Sequence, residues 1–330
     1  KSWILDTANL SQPWSFWPQI LAQRKVPVVP HSVGRLAREA LRGMTSLLSN
    51  SMLDTQRLEQ LIYGGFVCGG CLLVVHLIFG KAAKRTGGRI EKMFVEFQRK
   101  AFHMIGGCII CSCYHWGIKH KFIRPAFSPE TDSTAMDGGA AFLAASFVCW
   151  IVEASRLTIP AVQTWYLKTF KGLIRQKEHS KAAGIAYFLP GALAAMMAAP
   201  SNFAILGILF LSVGDAAASI GTAGGYIPVG TSSRKVEGSI GCFLVCTFLA
   251  VYAGLSSQVA LIACSFVTFG ELLAEIIGLD DNFVIPILGV LGVRIGLFPQ
   301  LGQMAALMGV SLGIGVALAA IVGSTTSKEK

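Results

Sequence analysis

Residues 214–239 read GDAAASIGTAGGYIPVGTSSRKVEGS, a polar, glycine-rich, charge-bearing segment that interrupts a run of hydrophobic spans. An Asp at the end of an apolar helix is costly in hydrocarbon, so Asp215 reads as a functional group facing a wet cavity. Ala216, Ala217, Ala218, Ser219 and Gly221 are small enough for backbones to approach closely. Gly224 and Gly225 permit the positive backbone angles that aim successive N–H groups at an anion. Arg234 and Lys235 supply cations and Glu237 a second carboxylate. Carboxylate, glycine loop and basic pair together describe a metal and phosphate site.

The chain around this segment is 53% hydrophobic and only 14% charged, with mean hydropathy +0.59, which makes it an integral membrane protein. Candidate spans lie near 61–80, 101–118, 138–153, 186–200, 202–220, 239–255, 259–277, 284–298 and 302–323. With about 20 apolar residues needed per crossing, the expected fold is all-α, a polytopic bundle of about eight or nine transmembrane helices. Its many glycines suit helices packed through small faces, because apolar burial does not drive association in lipid. Residues 1–57 read as an N-terminal extension and 58–330 as the multi-span catalytic domain.

The net charge of +10 is unevenly placed. Loop 81–100 holds Lys81, Lys84, Arg85, Arg89, Lys92, Arg99 and Lys100, and loop 154–185 holds Arg156, Lys168, Lys171, Arg175, Lys177 and Lys181. Cytoplasmic loops carry the Lys and Arg excess, so these loops, loop 221–238 and every site motif are expected to face the cytoplasm. The basic extension 1–57 does not fit that count. Its stretch VGRLAREALRGMTSLL (33–48) spaces apolar residues and arginines as an interfacial amphipathic helix would. No convincing signal peptide or internal repeat is visible, and a chain that begins with Lys leaves room for an upstream targeting piece. The nine cysteines sit mostly within apolar spans and read as small buried hydrophobes, although Cys68/Cys71 and Cys108/Cys111 have metal-like spacing.

Four further clusters look chemical. Arg99-Lys100-Ala101-Phe102-His103 puts Arg99 and His103 on one helix face, as membrane anchors or as an anion site. Glu153 and Arg156 form either a helix-end ion pair or part of a site. Glu178-His179-Ser180-Lys181 precedes Gly184, and His179 alone is weak. Glu271 and Glu275 share a face inside a span and need a partner or a metal. The following Asp280-Asp281-Asn282 offers either hard oxygen ligands for Mg²⁺ or a plain capping turn.

The order R-K-x-x-H, E-x-x-R, G-D-x-x-A-S with a glycine loop and x-x-E-G-S, then D-N with a nearby Pro, resembles the CTP-dependent lipid kinases: dolichol kinase, phytol kinase and the yeast-type diacylglycerol kinase. It is more distantly similar to phosphatidate cytidylyltransferase. The resemblance runs from about 95 to 298. It implicates Arg99, Lys100 and His103, then Asp215, Gly221, Gly225, Glu237, Gly238 and the adjoining Ser239, then Asp281 and Asn282. Two positions depart from the family pattern: Arg234 and Lys235 stand where Lys and Ser or Thr are usual, and the Asp-to-Gly spacing is one residue short.

The resemblance implies transfer of the γ-phosphate of CTP to the hydroxyl of a lipid alcohol, such as diacylglycerol, dolichol or phytol. Mg²⁺ would be held by Asp215 with Asp281 and Asn282. Arg99, Lys100, Arg234 and Lys235 would neutralise charge on the transferred group. Glu237 or His103 would accept the hydroxyl proton. The implied partners are nucleotide, lipid alcohol and bilayer, with no nucleic acid. Endoplasmic reticulum or a related endomembrane is favoured, and a plastid membrane is the alternative. A phosphatidate cytidylyltransferase and an ion-coupled transporter built on Glu271, Glu275 and Asp215 are the rival readings.

Overall fold

The computed structural model describes residues 53–127, 135–171, 173–230 and 232–298. The amphipathic stretch 33–48 and the candidate span 302–323 lie outside them.

Two 32-residue helices, α1 (Thr55–Thr86) and α2 (Gly88–Lys119), meet at a tight turn. Gly87 and Gly88 both adopt φ of +66°, a left-handed conformation that only glycine takes without strain. At 1.5 Å per residue each helix is about 48 Å long, well beyond a hydrocarbon core of about 30 Å. The basic stretch 81–100 is therefore not a loop. It is the projecting tip of a helical hairpin.

The remaining elements are α3 (Gly138–Thr158), α4 (Pro160–Thr169), α5 (Ile185–Ala198), α6 (Ser201–Leu209), α7 (Asp215–Gly224), α8 (Val236–Tyr252), α9 (Ser257–Ile277) and α10 (Asp281–Gly296). A two-residue parallel pair, Ile123–Arg124 with Met136–Asp137, precedes α3. Side chains of Asp54, Asp137, Ser256 and Asp280 accept from backbone N–H groups at the starts of α1, α3, α9 and α10, as N-caps do.

Thr55–Thr86, Gly138–Thr158, Ser201–Gly224 and Ser257–Glu275 are long and apolar enough to cross a membrane, and α5 and α8 are apolar but shorter. Each expected span within the described residues falls on a helix, but these four are the ones that meet length and composition together. The span Ser201–Gly224 is the central one. Its apolar window is 83% buried inside the protein, against 22% for α1 and 22% for α3. Val67 and Leu77 on α1, Leu143 and Phe147 on α3, and Leu244 and Phe248 on α8 are exposed, as side chains facing lipid tails are.

Asp215 does not end its helix, contrary to expectation. A single π-turn, Phe210–Gly214, joins α6 to α7, so the chain continues helically past Asp215 to Gly224. Such one-turn π insertions recur at functional sites. Gly224 is helical and Gly225 has φ of −75°, so neither uses the positive angles expected of an anion cradle. A Cβ on Gly224 would lie 2.8 Å from Met93 Sδ, and one on Gly225 2.7 Å from Glu237 Oε2. Space is the tighter demand at Gly225, where a Cβ would also lie 2.8 Å from the Gly221 carbonyl oxygen.

The same rule joins the other helices. A Cβ on Gly221 would lie 2.8 Å from Gly238 Cα, on Gly207 3.0 Å from the Pro286 carbonyl, and on Gly292 2.8 Å from Ala263 Cα. Gly107 faces Ser212 with no room for a side chain. Cys108, Cys111, Cys242, Cys246 and Cys264 are buried as expected, while Cys68, Cys71 and Cys113 are exposed.

Chain direction sorts the helix ends. One end of the bundle collects the close of α3, α7 and α9, the start of α5, α8 and α10, and the hairpin tip. At the opposite end the Asp54 N–H donates to the Ala253 carbonyl at 3.0 Å, the Tyr252 hydroxyl to Gln60 at 2.6 Å, and Glu59 holds both His115 and Lys119.

Gly221→Val places two methyls and a Cβ into the α8 backbone, a rigid neighbour. Overpacking of this kind costs about 1–3 kcal/mol. The detergent-solubilised variant is expected to unfold at a lower temperature than wild type; an unchanged midpoint would show that α7 and α8 are free to separate.

Candidate active site

The site begins with a charge that cannot stay alone. Asp215 is fully buried, one helical turn below Ser219, whose hydroxyl is 3.5 Å from Asp215 Oδ1. The ammonium of Lys100, 2% exposed, forms an ion pair with Asp215 Oδ2. A lysine that anchored a helix at the membrane boundary would extend its amine to the headgroups. Lys100 turns inward. His103, almost one turn further along α2, brings Nε2 to 3.5 Å from the same oxygen, without hydrogen-bond geometry, and lies edge-on to Phe188 at 4.9 Å. Arg99 pairs with Glu96 instead of Asp215. The first motif thus delivers two of its three polar residues to Asp215.

A second charge cluster forms around Arg234. Its guanidinium reaches Glu271 at 2.5 Å, Glu275 at 3.3 Å and Asp281 at 2.9 Å. The carboxylates of α9 thereby find the partner that their burial demanded. Ser232 Oγ donates to Glu275 at 2.9 Å and the Ser233 N–H at 2.8 Å, which closes the turn over the end of α9. Burial opposes the charge on Arg234, but Glu271 and Asp281 outweigh it and hold the guanidinium above its ordinary pKa. Arg234 is therefore held by three carboxylates, and it also lines the open cleft at this end of the bundle.

Glu237 is likewise committed. Its carboxylate accepts from the backbone N–H of Tyr226 at 2.7 Å and of Ile227 at 3.2 Å, bracing the loop that follows α7. This occupancy argues against the general-base reading. Gly221 and Gly238 serve helix packing, as described above, and Ser239 Oγ is buried without a hydrogen-bond partner. Lys235 and Gly225 line an open cleft of about 930 Å³ at this end of the bundle, together with Ser219, Tyr226, Asp281 and the hairpin residues Arg89 and Lys92.

Asp280 caps α10, accepting from Asn282 N at 3.0 Å and Nδ2 at 2.7 Å. Burial, and then the neighbouring charge of Asp281, push its carboxyl up to about 6. Asn282 Oδ1 is buried with no hydrogen-bond partner. Among the described residues, no three His, Cys, Asp or Glu side chains are arranged to hold a metal by themselves. Yet four carboxylates, Asp215, Glu271, Glu275 and Asp281, face two permanent cations, Lys100 and Arg234, with His103 at 3.5 Å from Asp215. That deficit and the orphaned amide oxygen suit Mg²⁺, which binds through one or two carboxylates plus substrate phosphates.

The Glu153–Arg156 pair is a clamp. Both are buried; Arg156 also donates to the carbonyls of His179 at 3.4 Å and Lys181 at 2.7 Å, and Glu153 accepts from the Ala183 N–H at 2.5 Å. The segment they pin leads to Gly184, where a Cβ would lie 2.6 Å from Asn282 Nδ2. His179 participates through its backbone. Sequence reasoning assigned Arg89, Lys92 and Arg175 to topology alone and passed over Tyr226. The place of Arg89 and Lys92 on the cleft depends on the hairpin's length, which the helical character of the segments on either side of Gly87-Gly88 could have signalled.

The chain is 26% identical over 199 residues to the CTP-dependent diacylglycerol kinase 1 of Schizosaccharomyces pombe, covering 52% of this chain and 91% of that protein. The similarity supports the CTP-dependent lipid kinase family that the motif order resembles. No protein-family model matches the chain, and no solved structure does.

Arg234→Met leaves three carboxylates facing one another, and breaking a buried ion pair costs about 3–5 kcal/mol. The variant is expected to lose thermal stability in detergent, with Arg234→Lys recovering little because one ammonium cannot reproduce the planar fork. A stable Arg234→Met protein with a raised KM for nucleotide would instead make Arg234 a phosphate ligand.

Proposed function

We propose that this chain, supported by its similarity as a relative of the CTP-dependent lipid kinases, transfers the γ-phosphate of CTP to the hydroxyl of a lipid alcohol, with diacylglycerol the favoured acceptor. The observation that carries the reading is the buried Lys100–Asp215 pair with His103 beside it, one helical turn below the wall of a polar cleft large enough for a nucleotide.

Phosphoryl transfer requires positioning and charge neutralisation more than covalent chemistry. Asp215, Asp281 and Asn282 are the residues that would hold Mg²⁺, which when bound offsets charge on the phosphates. Lys100 then exchanges its contact with Asp215 for the transferred group, and Lys235 supplies positive charge from the cleft wall. His103 Nε2 is the better placed of the two base candidates, since Glu237 already accepts two backbone N–H groups. The acceptor tail lies along the apolar helices, so its hydroxyl meets the nucleotide at the bundle end where the sites gather. Lys and Arg concentrate at that end, which supports a cytoplasmic orientation by the positive-inside rule.

The test is label transfer from γ-labelled CTP with Mg²⁺ to diacylglycerol, dolichol or phytol, using purified protein. Label in the lipid, abolished by chelation of Mg²⁺, is the expected result. Pyrophosphate released from CTP and phosphatidic acid, with no lipid labelled, would make the chain a cytidylyltransferase.

Asp215→Asn should abolish turnover and also destabilise the fold by about 3–5 kcal/mol, because Lys100 is left buried without its counter-charge. Adding Lys100→Met is expected to restore the unfolding temperature but not the activity. Turnover near wild type in either variant would remove Asp215 from the reaction.

A further inference from the structure

Tyr226 is an anomaly in the cleft. It is 70% exposed, although the loop that carries it is tightly braced by Glu237. One face of its ring is covered by the Arg89 guanidinium, with Cζ 3.5 Å from the ring centroid. At that exposure the opposite face is open. A tyrosine that merely marked the membrane interface would turn to the headgroups, as interfacial aromatics do. Tyr226 instead lines the polar cleft, beside Lys92, Arg175 and Lys235.

The spacing along α7 gives the open face a meaning. Asp215 and Gly225 stand at the two ends of α7, ten residues apart and so about 15 Å along the axis. That is on the scale of an extended nucleoside triphosphate. A nucleotide whose γ-phosphate enters at the cleft wall by Ser219, toward the buried Asp215, and whose phosphates lie beside the cleft cations would bring its base to Tyr226. We propose that the open face of Tyr226 is the stacking platform for the nucleobase, with Arg89 fixing the ring from behind. The proposal rests on the nucleotide-dependent reading of the site and adds the residues that receive the base. Flat contact between a base and an aromatic ring is favourable for any base, so this platform supplies affinity and direction. Arg89 belongs to the α1–α2 hairpin and Tyr226 to the loop after α7, so the platform also joins the hairpin tip to the core of the bundle.

The experiment titrates labelled CTP into the purified full-length protein in detergent, with inorganic tripolyphosphate as a competitor that carries the phosphates and no base. Tyr226→Ala is expected to weaken CTP binding roughly ten- to hundredfold, the range seen when a base-stacking aromatic is truncated. Its affinity for tripolyphosphate should not change, and Tyr226→Phe should bind CTP like wild type. Equal CTP affinity in Tyr226→Ala and wild type overturns the proposal. So does a parallel loss of CTP and tripolyphosphate affinity, which would show a merely structural role, and so does a change confined to the KM for lipid, which would make Tyr226 a membrane anchor. Loss of CTP binding by Tyr226→Ala, in a protein whose wild type binds CTP but labels no lipid, would support the platform while refuting the kinase reading.

Discussion

The site depends on the removal of charge from water. Asp215 lies in the most deeply buried span, where an isolated carboxylate would be prohibitively expensive, and Lys100 compensates it from α2. That pairing fixes the rotation of α2 against α7 and so decides what else faces Asp215. His103 does because it is almost one turn from Lys100. Arg99, one residue before Lys100, pairs with Glu96 on its own helix. The Lys100–Asp215 pair is a poor source of net stability, since a well-packed apolar pair would serve as well.

Close helix approach is the second constraint. Gly107 beside Ser212, Gly207 beside Pro286, and Gly221 beside Gly238 leave no room for a methyl group at three separate contacts with the central span. In lipid, packing of this kind holds helices together where the hydrophobic effect cannot. It also brings Asp215, Arg234 and Asn282 into one region although they arise from different helices and a loop. Glycines that resemble a phosphate-binding motif in one dimension thereby act first as spacers. The backbone of this loop is instead organised by side chains, with Glu237 holding its start and Arg234 its end.

Around these two constraints the structure separates holding from reacting. Glu153 and Arg156 hold the segment before α5, and Arg234 with its three carboxylates holds the turn before α8. Groups with unused capacity remain between them: Asn282 Oδ1, His103 Nε2 and the open face of Tyr226.

The helices were legible from the amino-acid sequence because apolar runs in a membrane protein can form little else. So was the demand for partners: Asp215, Glu271 and Glu275, set in apolar surroundings, each required a cation or a proton. Motif order was enough to suggest the family. What the sequence did not disclose is which cation answers which carboxylate. Lys100 and Asp215 are separated by 115 positions, and Arg234 and Asp281 by 47. Burial obliges a charge to be compensated without naming its partner. The choice belongs to helix rotation and approach, settled by glycine contacts between distant segments, and only the tertiary structure decides it.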